Sequence, residues 1–272
     1  MQTNTPSGRV NFLVVGAQKC ATSSLNAYLA GHPEIATGTK KELHFFDRDE
    51  YFTETRPDYS KYEARFNVQA STRIKGECTP GYLFNPVCAE RIHCYNPDMK
   101  LIAVLRNPIQ RAVSQYRMSV KSEVENRSFS EAIRLESSRK TQHPFYHWKK
   151  FAYKERGQYV PQIMRYFTLF PKTNFHFIKY EKFIESPMDS LNGLFDFLGV
   201  EKYEELTKEY HRNASEATTS IKQEDLRYLL NYFKEDIEQL QDLLQWDCSD
   251  WLDIDSLGEV FLQKEKSIHI HG

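Results

Sequence analysis

The sequence lacks several features that would assign it to a class at once. No apolar run approaches the roughly 18 residues that span a bilayer, and the polar residues 1–8 contain no apolar stretch of the signal-peptide kind. The five cysteines include no CxxC pair, so neither a disulfide framework nor a zinc site is indicated. These absences predict a reduced, cytoplasmic protein with no integral membrane segment.

The sequence also lacks an excess of charge of either sign. Lys and Arg total 36 against 37 Asp and Glu, a formal net charge of −1. Because no overall field attracts polyanions, nucleic acid is not an expected partner, and any anion site must be local. Glycine and proline are not enriched, at eleven each in 272 residues, which excludes collagen-like and linker-like chains. The length suffices for a sizeable core.

Short apolar runs alternate with segments of helical periodicity along the chain. Residues 10–15, 100–105 and 174–179 are typical of strands buried on both faces of a parallel sheet, and 74–77 indicates a further short strand. Residues 34–66 are predicted to be loop with short helices. Helices are predicted over 25–29, 85–96, 109–121, 130–136, 159–170, 189–198 and 223–245.

This alternation predicts an α/β fold with a central parallel sheet flanked by helices. Neither an internal repeat nor a linker-like stretch is present, so one domain over residues 9–255 is expected. Residues 1–8 are expected to be a flexible N-terminus and 256–272 a C-terminal tail.

The first motif that indicates chemistry is GAQKCATSS, residues 16–24, between the first strand and its helix. A loop that leads into a helix N-terminus presents backbone N–H groups and the positive end of the helix dipole. Thr22, Ser23 and Ser24 add hydroxyl donors, and Lys19 adds a cation. The loop is P-loop-like but not a Walker A sequence, because Lys19 stands three residues before Thr22. For this loop alone, a capped helix with an incidental lysine is an equal alternative.

The second motif follows the strand KLIAVL. In nucleotide-hydrolysing P-loop proteins, the neighbouring strand carries an Asp that binds Mg²⁺. Here Arg106 follows the strand, and a cation in that place favours a second anion over a metal. Ser114, in the helix that follows, is placed to share one phosphate with Arg106. The alternative is that Arg106 pairs with a core carboxylate and Ser114 is a surface residue.

Together these motifs resemble those of a known enzyme family. Residues 16–25 resemble the 5′-phosphosulfate loop, usually K-x-G-T-[TS]-S-L, of sulfotransferases that use 3′-phosphoadenosine 5′-phosphosulfate (PAPS). RNPIQRAVSQY, residues 106–116, is similar to their 3′-phosphate motif R-x-P-x-x-R-x-x-S-x-Y. A third stretch, from Arg156-Gly157-Gln158-Tyr159 to Phe197-Leu198-Gly199, is similar to the family's G-x-Y…F-P…E-x-L…P…F-L-G segment. The resemblance covers residues 10 to about 200 in order.

Two further motifs resemble the heparan-sulfate and bacterial carbohydrate branch of that family. These are ELHFFD, residues 42–47, for E-x-H-F-F-D, and ECTPGY, residues 77–82, for E-x-T-P-x-Y. The chain departs from the branch at Ala21, which replaces a loop glycine, and at Cys78, where related glycan enzymes often have lysine. The late Lys-Gly-Arg loop of the Golgi enzymes has no clear counterpart in residues 213–222.

The resemblance implies transfer of a sulfuryl group from PAPS to a hydroxyl or amine of an acceptor, which is a carbohydrate, a lipid or a small natural product. The product is adenosine 3′,5′-bisphosphate, and no metal is implied. The residues implied in donor binding are Gln18, Lys19, Cys20, Ala21, Thr22, Ser23, Ser24, Arg106 and Ser114.

The catalytic residues implied are Lys19, Glu42 and His44. Lys19 is the expected partner of the bridging oxygen of the donor. Glu42 is the first candidate for the general base, with Phe45 and Phe46 expected to exclude water and raise its pKa. His44 is the second candidate, either as the base or as a residue that orients Glu42.

Two other functions stay open from the sequence. A P-loop-type nucleotide kinase would need a Walker A loop and a Mg²⁺ carboxylate, and neither is found. A non-catalytic nucleotide-binding module would keep the phosphate sites and lose the base, and the presence of Glu42 and His44 argues against it.

Overall fold

Parallel strands form the central sheet of the computed structural model, which describes residues 8–53, 57–142, 150–203, 221–255 and 257–258. Five strands pair in the order β2-β3-β1-β4-β5, and every pair is parallel. They are β1 (Phe12–Gly16), β2 (Ile35–Thr37), β3 (Ile74–Cys78), β4 (Lys100–Leu105) and β5 (Phe175–Lys179).

The two central strands are the most apolar segments of the sheet. Both β1 and β4 are buried along almost their whole length, as expected for strands covered on both faces. The predicted strands at 10–15, 74–77, 100–105 and 174–179 are confirmed to within two residues at each end. The prediction that 34–66 holds no strand is wrong at β2, whose three residues show no periodicity and are defined by pairing with β3.

The helices connect and flank the strands. They are α1 (Thr22–Ala30), α2 (Ser60–Glu63), α3 (Cys88–Tyr95), α4 (Pro108–Lys121), α5 (Phe129–Arg134), α6 (Glu136–Gln142), α7 (Tyr159–Phe167), α8 (Tyr180–Glu185), α9 (Pro187–Leu198), α10 (Gln223–Leu244) and α11 (Ser249–Leu252). Short 3₁₀ turns lie at Asp49–Tyr51, Glu155–Gly157 and Lys172–Asn174. The predicted α/β class, with a central parallel sheet flanked by helices, is confirmed.

Within this fold the chain divides into two compact units. The first comprises Met1–Arg106 and Gln162–Arg212, and it contains the whole sheet. The second comprises Asn107–Pro161 and Asn213–Gly272. The predicted domain limits of 9–255 stay a prediction, because residues 1–7 and 259–272 lie outside the described part of the chain.

The C-terminal end of helix α9 shows how sequence determines an element of the first unit. Helix α9 ends at Gly199, whose φ of +77° is left-handed, as the predicted helix stop requires. Lys100 Nζ donates to the carbonyl oxygens of Phe197 and Leu198 at 2.7 and 3.0 Å, so the last carbonyls of α9 are satisfied by a side chain from β4. Helix α9 is thereby attached to the sheet.

The second unit is organised around α10 and two buried carboxylates. The predicted apolar stripe of α10 is buried at Leu226, Leu229, Phe233, Ile237 and Leu240. From the same helix, Asp236 accepts hydrogen bonds from the first two N–H groups of α7, at 2.7 and 3.1 Å. Glu136, at the start of α6, accepts from the N–H groups of Lys154 and Glu155, and burial raises its pKa to about 7.

One expectation lies mostly outside the described residues: of residues 213–222, where a Lys-Gly-Arg loop has no clear counterpart, only 221 and 222 are described. Among the described helices, none has the length and apolar character of a membrane span.

Candidate active site

The predicted site residues of the first unit lie where the parallel strands end. In parallel sheets, ligands bind at the edge formed by the carboxyl ends of the strands. The loop at 17–21 follows β1, residues 38–47 follow β2, Thr79 follows β3 and Arg106 follows β4. Motifs from four strands therefore meet at one edge of the sheet.

The loop after β1 has an unusual backbone. It leaves the strand at Gly16, where a Cβ would come within 2.6 Å of Leu83 Cδ2, so a larger residue does not fit. Lys19 and Ala21 both adopt left-handed conformations, with φ of +73° and +57°. Sparsely populated conformations of this kind concentrate at functional sites.

Helix α1 begins directly after Ala21, whose methyl group cannot cap it. The left-handed φ at this position would suit a glycine better, since an L residue in this conformation costs about 1–2 kcal/mol. The loop and the first turn of α1 contain all seven residues predicted to bind the 5′ end of the donor. Cys20, Thr22 and Ser24 are buried, whereas Gln18, Lys19, Ala21 and Ser23 are partly exposed.

Glu42, His44 and Asp47 form a chain of charged side chains after β2. His44 Nδ1 donates to Asp47 Oδ2 at 2.7 Å, and His44 Nε2 lies 3.4 Å from Glu42 Oε2. The other oxygen of Glu42 accepts from Lys41 Nζ. Glu42 and His44 are also left-handed, with φ of +62° and +52°.

These contacts lower the pKa of Glu42 and raise the pKa of His44. The hydrogen bond from His44, with that from Lys41, lowers the pKa of Glu42 to about 2 despite partial burial. The hydrogen bonds to Asp47 and then Glu42 raise the pKa of His44 to about 9. At neutral pH, Glu42 is therefore a carboxylate and His44 an imidazolium.

The expectation that Phe45 and Phe46 raise the pKa of Glu42 is wrong. Phe45 stacks on Tyr62 with ring centroids 4.6 Å apart, and Phe46 packs edge-on against Tyr82 at 5.7 Å. Their rings belong to an aromatic cluster, and hydrogen bonds from cations set the pKa of the carboxylate instead.

Sequence reasoning missed the contribution of Asp47 to this group. Its signal was present, because Asp47 closes the ELHFFD motif three residues after His44. Spacing alone does not reveal that the intervening turn brings the carboxylate to the ring. Asp47 is the larger cause of the raised pKa of His44.

Cys78 connects the first-strand loop to the segment that carries Glu42. Its Sγ donates to the carbonyl oxygen of Thr22 at 3.4 Å, and its own carbonyl accepts from the N–H of Glu42 at 3.1 Å. Burial raises the pKa of the thiol to about 12, so Cys78 is a neutral thiol. Cys78 therefore contacts the backbone of the proposed donor loop with its side chain and the backbone of Glu42, the candidate base, with its carbonyl.

Glu77, just before Cys78, is fully buried. It accepts hydrogen bonds from the N–H of Leu43 and from the hydroxyls of Thr79, Tyr82 and Tyr62, at 3.1, 2.6, 2.8 and 3.3 Å. Burial raises its pKa. All four donors belong to the surrounding protein, so Glu77 has a structural place in the site.

Arg106 stacks on the ring of Tyr180, with its guanidinium carbon 4.3 Å from the ring centroid. Tyr180 is the first residue of α8 and directly follows β5, so adjacent strands bring the two side chains together. Ser114 is a partly exposed residue of α4 in the second unit. Arg111 of the same motif is fully buried there and donates to Gln115 and to the carbonyl of Tyr153.

A cavity of about 470 Å³ lies beside the Glu42 segment within the first unit. Leu43, between Glu42 and His44 in the chain, contributes to its wall. Four cationic and two acidic residues line it, with an aromatic wall formed by Phe45, Tyr51 and Tyr62; the charged residues are Lys40, Arg48, Lys61, Arg65, Glu50 and Asp58. The cavity is therefore both cationic and aromatic.

Residues 10–231 match the family model described as "Sulfotransferase domain", and the chain therefore belongs to the sulfotransferase domain family. The chain is 25% identical to the membrane-associated sulfotransferase kil1 of Dictyostelium discoideum, over 87% of this chain and 65% of that protein. It is 29% identical to human heparan sulfate glucosamine 3-O-sulfotransferase 6, over 77% of this chain and 58% of that protein. It thus spans about three fifths of the length of these two relatives.

Solved structures agree with this assignment. A sulfotransferase from Alicyclobacillus acidocaldarius superposes with a TM-score of 0.76 and 32% identity, covering 90% of this chain and 99% of the other. Mouse sulfotransferase SULT7A1, solved in complex with PAP, superposes with a TM-score of 0.55 and 14% identity, covering 93% of this chain and 90% of the other. The latter likeness concerns the fold alone.

The charged chain at Glu42 leads to a prediction about His44. In an NMR titration, the His44 imidazole should lose its proton well above its ordinary pKa of 6.5, toward about 9. Asp47→Asn should lower this pKa more than Glu42→Gln does, because the Asp47 hydrogen bond is the larger cause. A His44 pKa below 6.5 in the wild type would contradict the arrangement.

Proposed function

We propose that the protein transfers a sulfuryl group from PAPS to a hydroxyl or amine of its acceptor and releases adenosine 3′,5′-bisphosphate. Membership of the sulfotransferase family supports the reaction class. The observation that carries the proposal is the double contact of Cys78, which joins the donor-type loop at Thr22 to the backbone of Glu42. The backbone of the proposed anion site and that of Glu42 are thereby joined through one residue, which suits sulfuryl transfer between a donor and an acceptor.

The residues of the β1 loop suit the 5′-phosphosulfate of the donor. The N-terminus of α1, with Thr22, Ser23 and Ser24, offers hydrogen-bond donors to the phosphate. Lys19 offers a positive charge to the bridging oxygen, on which negative charge develops as the bond to sulfur breaks. Positioning and charge stabilisation of this kind are the main sources of catalysis in the related transfer of phosphoryl groups.

Glu42 is the proposed general base. As the acceptor oxygen or nitrogen forms its bond to sulfur, its proton passes to the Glu42 carboxylate, and the bond from sulfur to the bridging oxygen breaks. His44 already holds its proton at neutral pH, so it cannot accept another. It orients Glu42 instead. The negative charge of a bound donor raises the pKa of Glu42 and so strengthens a carboxylate that is a weak base in the free protein.

Arg106 is proposed to bind the 3′-phosphate and thereby select PAPS over nucleotides without that group. Stacking on Tyr180 holds the Arg106 guanidinium at the end of β4. The kinase alternative has less support, because Arg106 occupies the position at which that class carries a metal-binding carboxylate. The predicted cytoplasmic location is likewise a proposal.

The role of Glu42 is tested by substitution. Glu42→Gln should lower kcat by about 10²–10⁴-fold and leave donor affinity nearly unchanged, because the amide keeps the size but not the basicity of the carboxylate. Lys19→Ala should impair both donor binding and turnover, and His44→Ala should have an intermediate effect. Steady-state kinetics with labelled PAPS measures these effects, with Glu90→Gln, on the exposed face of α3, as the control. Normal turnover in Glu42→Gln with an inactive His44→Ala would transfer the base role to His44.

Donor selection is tested at Arg106. Arg106→Ala should weaken PAPS binding by about 1.5–3 kcal/mol, the contribution of a hydrogen bond between charged groups. Adenosine 5′-phosphosulfate lacks the 3′-phosphate and should bind almost equally to both proteins. Calorimetry measures both affinities, and Arg73→Ala, at an exposed arginine paired with Glu34, is the matched control. An equal loss for the two nucleotides would contradict the assignment.

The cavity that Leu43 helps to line is proposed to receive the acceptor, and its four cations favour an acceptor that carries a carboxylate, sulfate or phosphate. Lys61→Ala should raise KM about 2–5-fold for an anionic acceptor, the scale of one exposed ion pair. KM for the neutral counterpart of the same acceptor should not change. A screen of paired sugar glycosides with and without a carboxylate measures this, with the exposed Lys182→Ala as the control. Equal KM changes for both members of a pair would contradict an anionic acceptor.

A further inference from the structure

Four consecutive backbone N–H groups after Glu42 point to side chains of the ECTPGY motif. Leu43 N donates to Glu77 Oε2 at 3.1 Å, and Phe45 N donates to the Tyr82 hydroxyl at 2.8 Å. Two longer contacts complete the set: His44 N lies 3.5 Å from Thr79 Oγ1, and Phe46 N lies 3.4 Å from the Tyr82 hydroxyl. One motif therefore contacts the backbone on both sides of His44.

Glu77 determines the direction of these hydrogen bonds. The Thr79 hydroxyl donates to Glu77 Oε2 at 2.6 Å, and the Tyr82 hydroxyl donates to Oε1 at 2.8 Å. Each hydroxyl has one proton, so its donation to the carboxylate leaves only lone pairs to face the N–H groups. The buried carboxylate thus makes both hydroxyls acceptors for the segment after Glu42.

The backbone of residues 42–46 has a conformation that needs these hydrogen bonds. Glu42 and His44 adopt left-handed φ, which is unfavourable for residues with a Cβ, and the carbonyl of Cys78 holds the Glu42 N–H in addition. Relaxation of either residue to an ordinary conformation would swing its side chain away from its partners. The Glu42–His44–Asp47 contacts therefore depend on the orientation of the 42–46 backbone.

We propose that Glu77, Thr79 and Tyr82 are positioning residues of the transfer reaction, which hold the Leu43–Phe46 backbone so that Glu42 and His44 keep their catalytic orientation. The proposal rests on the roles of Glu42 and His44 proposed above. None of the three positioning residues touches the reacting atoms. Their contribution acts through the backbone, so it should affect kcat far more than donor affinity.

The chain offers a close control for the phenol of Tyr82. Tyr153 is also fully buried and donates its hydroxyl to a buried carboxylate, Glu125 Oε2, at 3.0 Å. It lies in the second unit, and its hydroxyl bonds to Glu125 of that same unit. Tyr82→Phe and Tyr153→Phe therefore make the same chemical change at similar burial, and only the first removes an acceptor from Phe45 N.

The experiment measures backbone exchange and kinetics on the same variants. Tyr82→Phe should accelerate hydrogen exchange in the 43–46 segment and lower kcat about 10–100-fold, the scale of a misplacement of about 1 Å. KM and affinity for PAPS should stay within about twofold of the wild type, since the donor loop is unchanged. Tyr153→Phe should show neither effect at a temperature where both variants are folded.

A second pair of variants covers the case in which Tyr82→Phe does not fold. Thr79→Val removes the hydroxyl and keeps the shape, whereas Thr79→Ser keeps the hydroxyl. Thr79→Val should show faster exchange at 43–46 and lower kcat, and Thr79→Ser should restore both values. A role in packing alone would give the opposite order, because valine is closer in shape to threonine.

Failure of this proposal differs from failure of the proposed function. The proposed function is overturned when the wild-type protein transfers no sulfuryl group from PAPS to any acceptor. In that case, hydrogen exchange of residues 43–46 and the NMR titration of His44 still test the hydrogen bonds from Glu77, Thr79 and Tyr82. The positioning proposal is overturned when folded Tyr82→Phe and Thr79→Val match the wild type in exchange and in the His44 pKa. It is equally overturned when exchange accelerates but an active enzyme keeps its kcat.

Discussion

The buried carboxylate of Glu77 is the interaction on which the geometry of the site depends. It lies in β3 between two neighbouring strands, where desolvation opposes its charge and raises its pKa. Four hydrogen-bond donors compensate this burial. Two of these donors, the hydroxyls of Thr79 and Tyr82, in turn accept hydrogen bonds from the backbone N–H groups of His44 and Phe45. A group that would be costly alone thereby holds the backbone of the residues that are proposed to carry the chemistry.

Opposite charges then alternate along that segment. Lys41, Glu42, His44 and Asp47 contact one another in sequence, so each charge stabilises its neighbours. At neutral pH the Glu42 carboxylate is therefore ionised, and the His44 imidazole keeps its proton. The pKa of Glu42 is not raised by the nearby aromatic rings, contrary to the expectation from the sequence. Hydrogen bonds from the cations His44 and Lys41 lower this pKa by more than the partial burial of the carboxylate raises it.

Much of the sheet was predictable because a strand buried on both faces must be apolar along its length. This holds for β1 and β4, which were recognised from sequence. The edge strand β2 was missed, since three residues have no periodicity and become a strand only by pairing with β3. The predicted helix at 130–136 is divided between α5 and α6, and Ser128 and Glu131 form a capping box at the start of α5.

The sequence by itself determined the α/β class, the loop after β1 and the motifs that align with sulfotransferases, because these depend on local order and spacing. It could not determine the partners of the charged residues. Asp47 on His44, the Cys78 contact with Thr22, and the Arg106 stack on Tyr180 join side chains and backbone brought together by turns and strand pairing. The same holds for the protonation states of Glu42 and His44. A pKa is determined by neighbours within a few ångströms, and only the tertiary structure decides which neighbours those are.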